Sequence, residues 1–266
     1  MINWALFRRE MKASVKLLII FCLIITLYVS CIIGLYDPVT TEMLDRFTEA
    51  MPGIMAAVGM TPGASNLLGF MISYLYGFIL LIVPMVFSIL RGNGLVARYI
   101  DMGSMVYLAA APVKRRTIAG TQMLVLLSGI SLLVVYTTVL EVAAAQLLFP
   151  GELHLSELLV LNVGLLFLHF LIGGICFCAS CTFSETRYSA LFGAGIPTLM
   201  YIFKMIASVG GGAESIKYFS VFTLFDPNGL VANDGYALVK ILFLLIGAFV
   251  IYPVGIAVFC RKDLHI

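Results

Sequence analysis

Charge is what this 266-residue sequence has least of: Asp, Glu, Lys and Arg together make up 11% of it, against roughly 25% in an average soluble domain. With 62% of the residues hydrophobic, too little polar surface exists to cover a fold in water, which excludes a soluble enzyme. The charges nearly cancel, at a formal +2, and that excludes a strongly basic nucleic-acid binder. Cysteine is sparse as well. The six thiols, at 22, 31, 176, 178, 181 and 260, all lie inside apolar stretches and indicate no disulfide framework. Missing too are a G-x-x-x-x-G-K-S/T loop to cradle nucleotide phosphates, a Gly-x-Ser-x-Gly elbow, and the repeated charge or carbonyl ring of a channel filter. What is present in quantity is apolar sequence. Aromatic residues, at 12%, suit helix ends placed at lipid–water interfaces.

A crossing needs about 20 mostly apolar residues to traverse roughly 30 Å of hydrocarbon. Six runs qualify: 17–36, 67–90, 121–148, 155–183, 188–209 and 237–260. The expected fold is an all-α polytopic membrane protein in which 1–266 forms one transmembrane domain with six helices. Basic residues precede the first run, as in a signal peptide. Its length of about 20 residues, beyond the usual 7–15, and the lack of a small-residue cleavage site predict a retained span.

Counting Lys and Arg in the connecting segments sets the orientation. One side carries Arg8, Arg9, Lys12, Lys16, Arg91, Arg98, Lys114, Arg115, Arg116, Arg187, Arg261 and Lys262, which is 12 of the 16 basic residues. The opposite side holds Arg46, Lys217 and Lys240 beside nine acids. Both termini are therefore expected in the cytoplasm, in a multi-pass protein of the plasma membrane.

Outside the spans, residues 1–16 read as an amphipathic interfacial helix, with Trp4, Phe7, Met11 and Val15 at helical spacing and basic residues between them. The 91–120 segment contains a stretch, Leu95 to Ala110, long enough for a short helix across the cytoplasmic mouth. On it Arg98, Asp101 and Ser104 recur every third residue and share a face. That face either docks a soluble partner or packs on its own bundle. On the other side, 37–66 predicts an amphipathic helix over Thr40 to Met51. The 210–236 segment, with its run YFSVFTLFDPNGL, predicts a re-entrant or interfacial stretch.

Four of these pieces, taken in order, resemble the membrane subunit of ABC-2-type transporters over nearly the whole chain. They are FRREMK at Phe7 to Lys12, RYIDMGSMVYLAAAPVKRRTIAG from Arg98, FSVFTLFDP before the last span, and FCRKDL at Phe259 to Leu264. The segment from Arg98 resembles that family's coupling helix and its Pro-Val-basic-basic turn. Asp101 stands where the family more often has Glu, which keeps the carboxylate. The resemblance implies an ABC-2 (type V exporter-like) fold: two copies of this chain as a homodimer, with two cytoplasmic ATPase subunits beneath. ATP and Mg would sit on those partners, with no cofactor, metal or catalytic residue on this chain. It implies that Arg98, Asp101, Ser104 and Met105, with Arg8 and Arg9, touch the ATPase. The second and fifth spans would line the route, so that Phe78, Phe87, Met200, Tyr201, Phe203 and Lys204, joined by Glu141, form the translocation path.

Three ionisable groups fall at membrane depth, where charge is costly. Glu141 and Lys204 lie toward the outer leaflet and either pair across helices or snorkel. His169, at mid-span, is either hydrogen-bonded within the bundle or a ligand. In CFCASC, Cys176 and Cys178 point about 200° apart on a helix, so they cannot both face one metal ion. Pro84, Pro197 and Pro253 each remove a helical hydrogen bond, and Gly193, Gly195 and Pro197 form the best hinge candidate. The function expected is export of an amphipathic or hydrophobic cargo, such as a toxin, an antimicrobial peptide or a drug-like molecule. Lipid or metal-related cargo, or an intramembrane enzyme using His169 as its base, are the alternatives.

Overall fold

The computed structural model describes residues 2–60, 66–105 and 113–263. Among them every regular element is helical, and six helices are long and apolar enough to cross a membrane. The first span is Trp4–Gly34, the third Arg115–Leu148, the fourth Leu155–Thr182, the fifth Thr186–Val209 and the sixth Gly235–Arg261. The second is built from three consecutive pieces, Leu67–Met71, Ile72–Ile79 and Leu80–Gly92.

Polar side chains start several of these helices. Asn3 accepts from Leu6 N at 3.0 Å, Asn66 from Gly69 N at 2.7 Å, and Asp234 from Tyr236 N at 3.1 Å. Each supplies an acceptor to an N–H that the helix itself leaves unpaired.

The fourth span is the hub. The second, third, fifth and sixth all pack on it, and the first packs mainly on the third. The second span is the most enclosed, with 72% of its most apolar stretch buried, while the fifth is the least, at 17%. At the acidic end, helices Pro38–Ala50 and Pro52–Ala57 precede the second span. Residues 61–65 lie outside the described residues.

One expectation needs correction. Residues 4–34 form a single unbroken helix, so no separate interfacial helix ends near residue 16. Of the apolar stripe read from the sequence, Trp4 is 69% and Val15 46% exposed, while Leu6, Glu10, Ser14, Leu18 and Phe21 are buried on the packed side. A helix surrounded by lipid tolerates its apolar side outward, and here a glutamate takes the inward side because partners meet it there.

The second span departs from α-helical geometry. Ile72–Ile79 is a π-helix, an unusual form that concentrates at functional positions. Gly77 within it approaches the backbone of Gly59 so closely that a Cβ there would fall 2.7 Å from Gly59 O. Gly59 itself has φ +81°. Side chains at either position would force these segments apart.

Candidate functional site

At the basic end, hydrogen bonds cross-tie the spans. Glu10 of the first span is the focus: Arg91 Nη2 donates to its Oε2 at 2.6 Å and to its backbone carbonyl at 3.0 Å, and Tyr99 Oη donates to its Oε1. Ser180 of the fourth span accepts from the N–H groups of Val96 and Ala97 at 3.1 and 3.0 Å, capping the short helix Ala97–Asp101 from outside, and donates to Asn93 O at 3.1 Å. Asp101 Oδ2 accepts from Thr186 N at 3.3 Å, giving a carboxylate to the exposed N-terminus of the fifth span. Arg115 Nη1 donates to Lys262 O at 2.8 Å, and Lys262 Nζ donates to Thr182 O at 2.7 Å. Burial draws the Lys262 ammonium below the ordinary lysine value.

Three of the four segments that carry the family resemblance thus enter one collar of bonds. A cleft of about 540 Å³ opens in it, lined by Arg9, Glu10, Arg91, Arg98, Tyr99 and Ser104. The structure therefore brings Arg9, Arg98 and Ser104 together. Arg8 is exposed, Asp101 faces the fifth span, and Met105 is buried at 1% exposure. Met105 is a correction, since its apolar thioether packs into the bundle and leaves no surface for a partner. The helix carrying these residues is also shorter than read. It ends at Asp101, and Gly103, at φ +67°, breaks the even helical spacing that would set Arg98, Asp101 and Ser104 on one face. Residues 106–112 lie outside the described residues.

Within the bundle, the three ionisable groups expected at membrane depth, Glu141, Lys204 and His169, converge on the irregular second span. Tyr76 Oη donates to Glu141 Oε2 at 2.9 Å, Lys204 Nζ donates to Gly77 O at 3.1 Å, and His169 Nε2 meets Leu80 O at 2.9 Å. A carbonyl accepts only, so His169 carries its proton on Nε2. Leu80 is four residues before Pro84, whose ring nitrogen has no hydrogen to give. Glu141 and Lys204 do not pair with each other; each is engaged on adjoining residues of the same helix.

Of the expected path residues, Phe78, Tyr201 and Lys204 come together. The Phe78 and Tyr201 ring centroids lie 6.4 Å apart, and Lys204 Nζ stands 5.9 Å above the Tyr201 ring. Phe222 completes this cluster edge-on to Tyr201 at 5.3 Å. Sequence reasoning does not single it out as a site residue, although it sits inside the FSVFTLFDP segment. Phe203 instead contacts Phe219 at 6.5 Å, and Met200 borders a groove with Phe192 and Ile196. Phe87 and Glu141 are corrected: both are fully buried in the protomer. Phe87 fills the notch at Gly129, where a Cβ would lie 2.8 Å from its ring.

The hinge candidate divides. Gly193 is a contact glycine, with a Cβ there falling 2.2 Å from Asn93 Oδ1, whereas among the described residues Gly195 has nothing within 4 Å. Pro197 leaves the carbonyl of Gly193 without its helical donor, and Cys176 Sγ donates to it at 3.1 Å. No family model matches the chain, and no curated protein matches it.

Proposed function

We propose that the chain is the membrane subunit of an ATP-driven ABC-2-type exporter, moving an amphipathic or hydrophobic cargo outward between two copies of itself. The chain has no nucleotide-binding loop of its own, so the power stroke belongs to two ATPase subunits at the basic, cytoplasmic end in the plasma membrane. The observation that supports this most is the bond from Thr186 N to Asp101 Oδ2. It joins the segment that resembles a coupling helix directly to the start of the fifth span, one of the two helices the resemblance makes route-lining. A push on Ala97–Asp101 would then be delivered to the fifth span without an intermediary. The fifth span also keeps an outward apolar face, including Leu191, Leu199, Ile202 and Ile206, which a second copy would cover.

The deciding experiment is purification of the complex in mild detergent followed by transport in vesicles. A stoichiometric ATPase subunit should accompany the chain. D101K should leave ATP hydrolysis measurable while abolishing cargo movement. Uphill cargo movement by the chain alone, or lipid or peptide hydrolysis by it, would overturn the reading.

A further inference from the structure

Glu141 lies in the third span with no exposed surface, and both of its hydrogen bonds fall on one oxygen. Tyr76 Oη, from the π-helical part of the second span, and Asn162 Nδ2, from the fourth span, each donate to Oε2 at 2.9 Å. Among the described residues the other carboxyl oxygen, Oε1, has no partner, and neither has Oδ1 of Asn162. The amide orientation is fixed twice over, because Nδ2 also donates to Leu158 O at 3.3 Å. Turning the amide over would lose both bonds and set its oxygen against two acceptors.

Two buried acceptors thus stand on the second arms of a carboxyl and an amide that already share one bond through their first arms. As a carboxylate, Glu141 would hold an uncompensated charge in the apolar bundle, the arrangement that such an interior least tolerates. Lys204 and His169 are engaged elsewhere, at Gly77 O and Leu80 O. Tyr76 is the titratable group that touches it.

We propose that Glu141 is a proton-binding site: its carboxyl is held as the neutral acid, with Oε1–H donating to Asn162 Oδ1. One proton then satisfies both unpartnered oxygens and closes a ring in which acid and amide each donate once and accept once. Tyr76 adds a third donor from the second span. The bound proton therefore adds a second bond between the third and fourth spans, beside the Tyr76 bond that ties the second span to the third. Losing it returns a bare carboxylate to a dry site and removes the donor that Asn162 Oδ1 requires. The site stands whether or not an ATPase docks at the basic end.

The test compares the full-length chain, reconstituted in nanodiscs, with E141Q and E141A. Glutamine reproduces the neutral acid's pattern, because its NH₂ donates to Asn162 and its oxygen accepts from Nδ2 and Tyr76. E141Q should therefore unfold at the wild-type midpoint, and E141A should unfold lower. Infrared spectra at neutral pH should contain a protonated-carboxylic-acid carbonyl band that E141Q removes. Adding sodium should leave the wild-type midpoint unchanged. The assignment is overturned if E141Q removes no such band. It is equally overturned if sodium raises the midpoint of wild type but not of E141Q, which would make the site a carboxylate holding a metal cation.

Discussion

Pro84 frees one backbone acceptor, Leu80 O, and His169 serves it. The proline lacks the N–H that would reach Leu80 O, and the imidazole of the neighbouring span donates to that carbonyl from 2.9 Å. Freed carbonyls within an apolar bundle need such a replacement, because no water is there to supply it. This gives a prediction with a built-in control. H169A should destabilise the chain by about 1 kcal/mol, the scale of hydrogen bonds between membrane helices, and H169Q, which keeps a donor, should recover part of that. In a P84A background the helix regains its own N–H, and H169A should then cost much less. Unfolding in mild detergent, arranged as a double-mutant cycle, measures the coupling.

Cys176 repeats the device seven residues along the same helix, which is nearly two full turns and hence nearly the same face. Its Sγ donates to Gly193 O, the acceptor that Pro197 leaves unserved. The two glycines of the hinge candidate should consequently respond in opposite ways. G193A drives a methyl onto Asn93 and should lower stability by about 1–3 kcal/mol. G195A meets nothing within 4 Å and should be neutral or stabilising by up to about 1 kcal/mol through helix propensity. Thermal melts of the two variants side by side are sufficient to check it.

Six long apolar helices and the polar importance of Glu141, Lys204 and His169 are legible in the sequence because composition and hydropathy act over 20 residues at a time. What those three groups touch is not. A helical wheel drawn evenly through 67–90 fails beyond the π-helix, since its wider turn rotates everything after Ile79. Phe87 reads as a path residue for the same reason that a core residue does: both are large and apolar. The inward glutamate at position 10 is hidden among four basic residues. Only its partners Arg91 and Tyr99, more than 80 positions away, reveal its role.

Lys204 provides a third prediction. It serves as a donor to Gly77 O, at the point where Gly59 closes on the second span. K204Q keeps a donor on a long side chain and should retain the wild-type fold to within about 1 kcal/mol of its stability, less than a bare buried acceptor costs. K204M removes the donor while keeping the bulk, and should cost more, on the scale of that bare acceptor, about 1–3 kcal/mol. Equal losses in the two variants, measured by unfolding midpoint, would mean that positive charge matters more than hydrogen bonding.

The Glu10–Arg91 pair is the tie that should fail most visibly. Both side chains are largely buried, at 5% and 13% exposure, and their atoms approach to 2.6 Å. Surface pairs contribute little, but stranding one member of a buried pair costs about 3–5 kcal/mol. R91M should thus destabilise strongly, because among the described residues Glu10 would keep Tyr99 alone as a side-chain donor. E10Q should be milder: its oxygen can still accept from Arg91, and its amide removes the charge that needs compensation. In R91M, E10Q should therefore act as a rescuer and restore part of the lost unfolding midpoint. In the wild-type background the same change should lower the midpoint by leaving the guanidinium without its counter-charge. A change of sign between the two backgrounds is what a buried ion pair requires and what two independent surface residues would not produce.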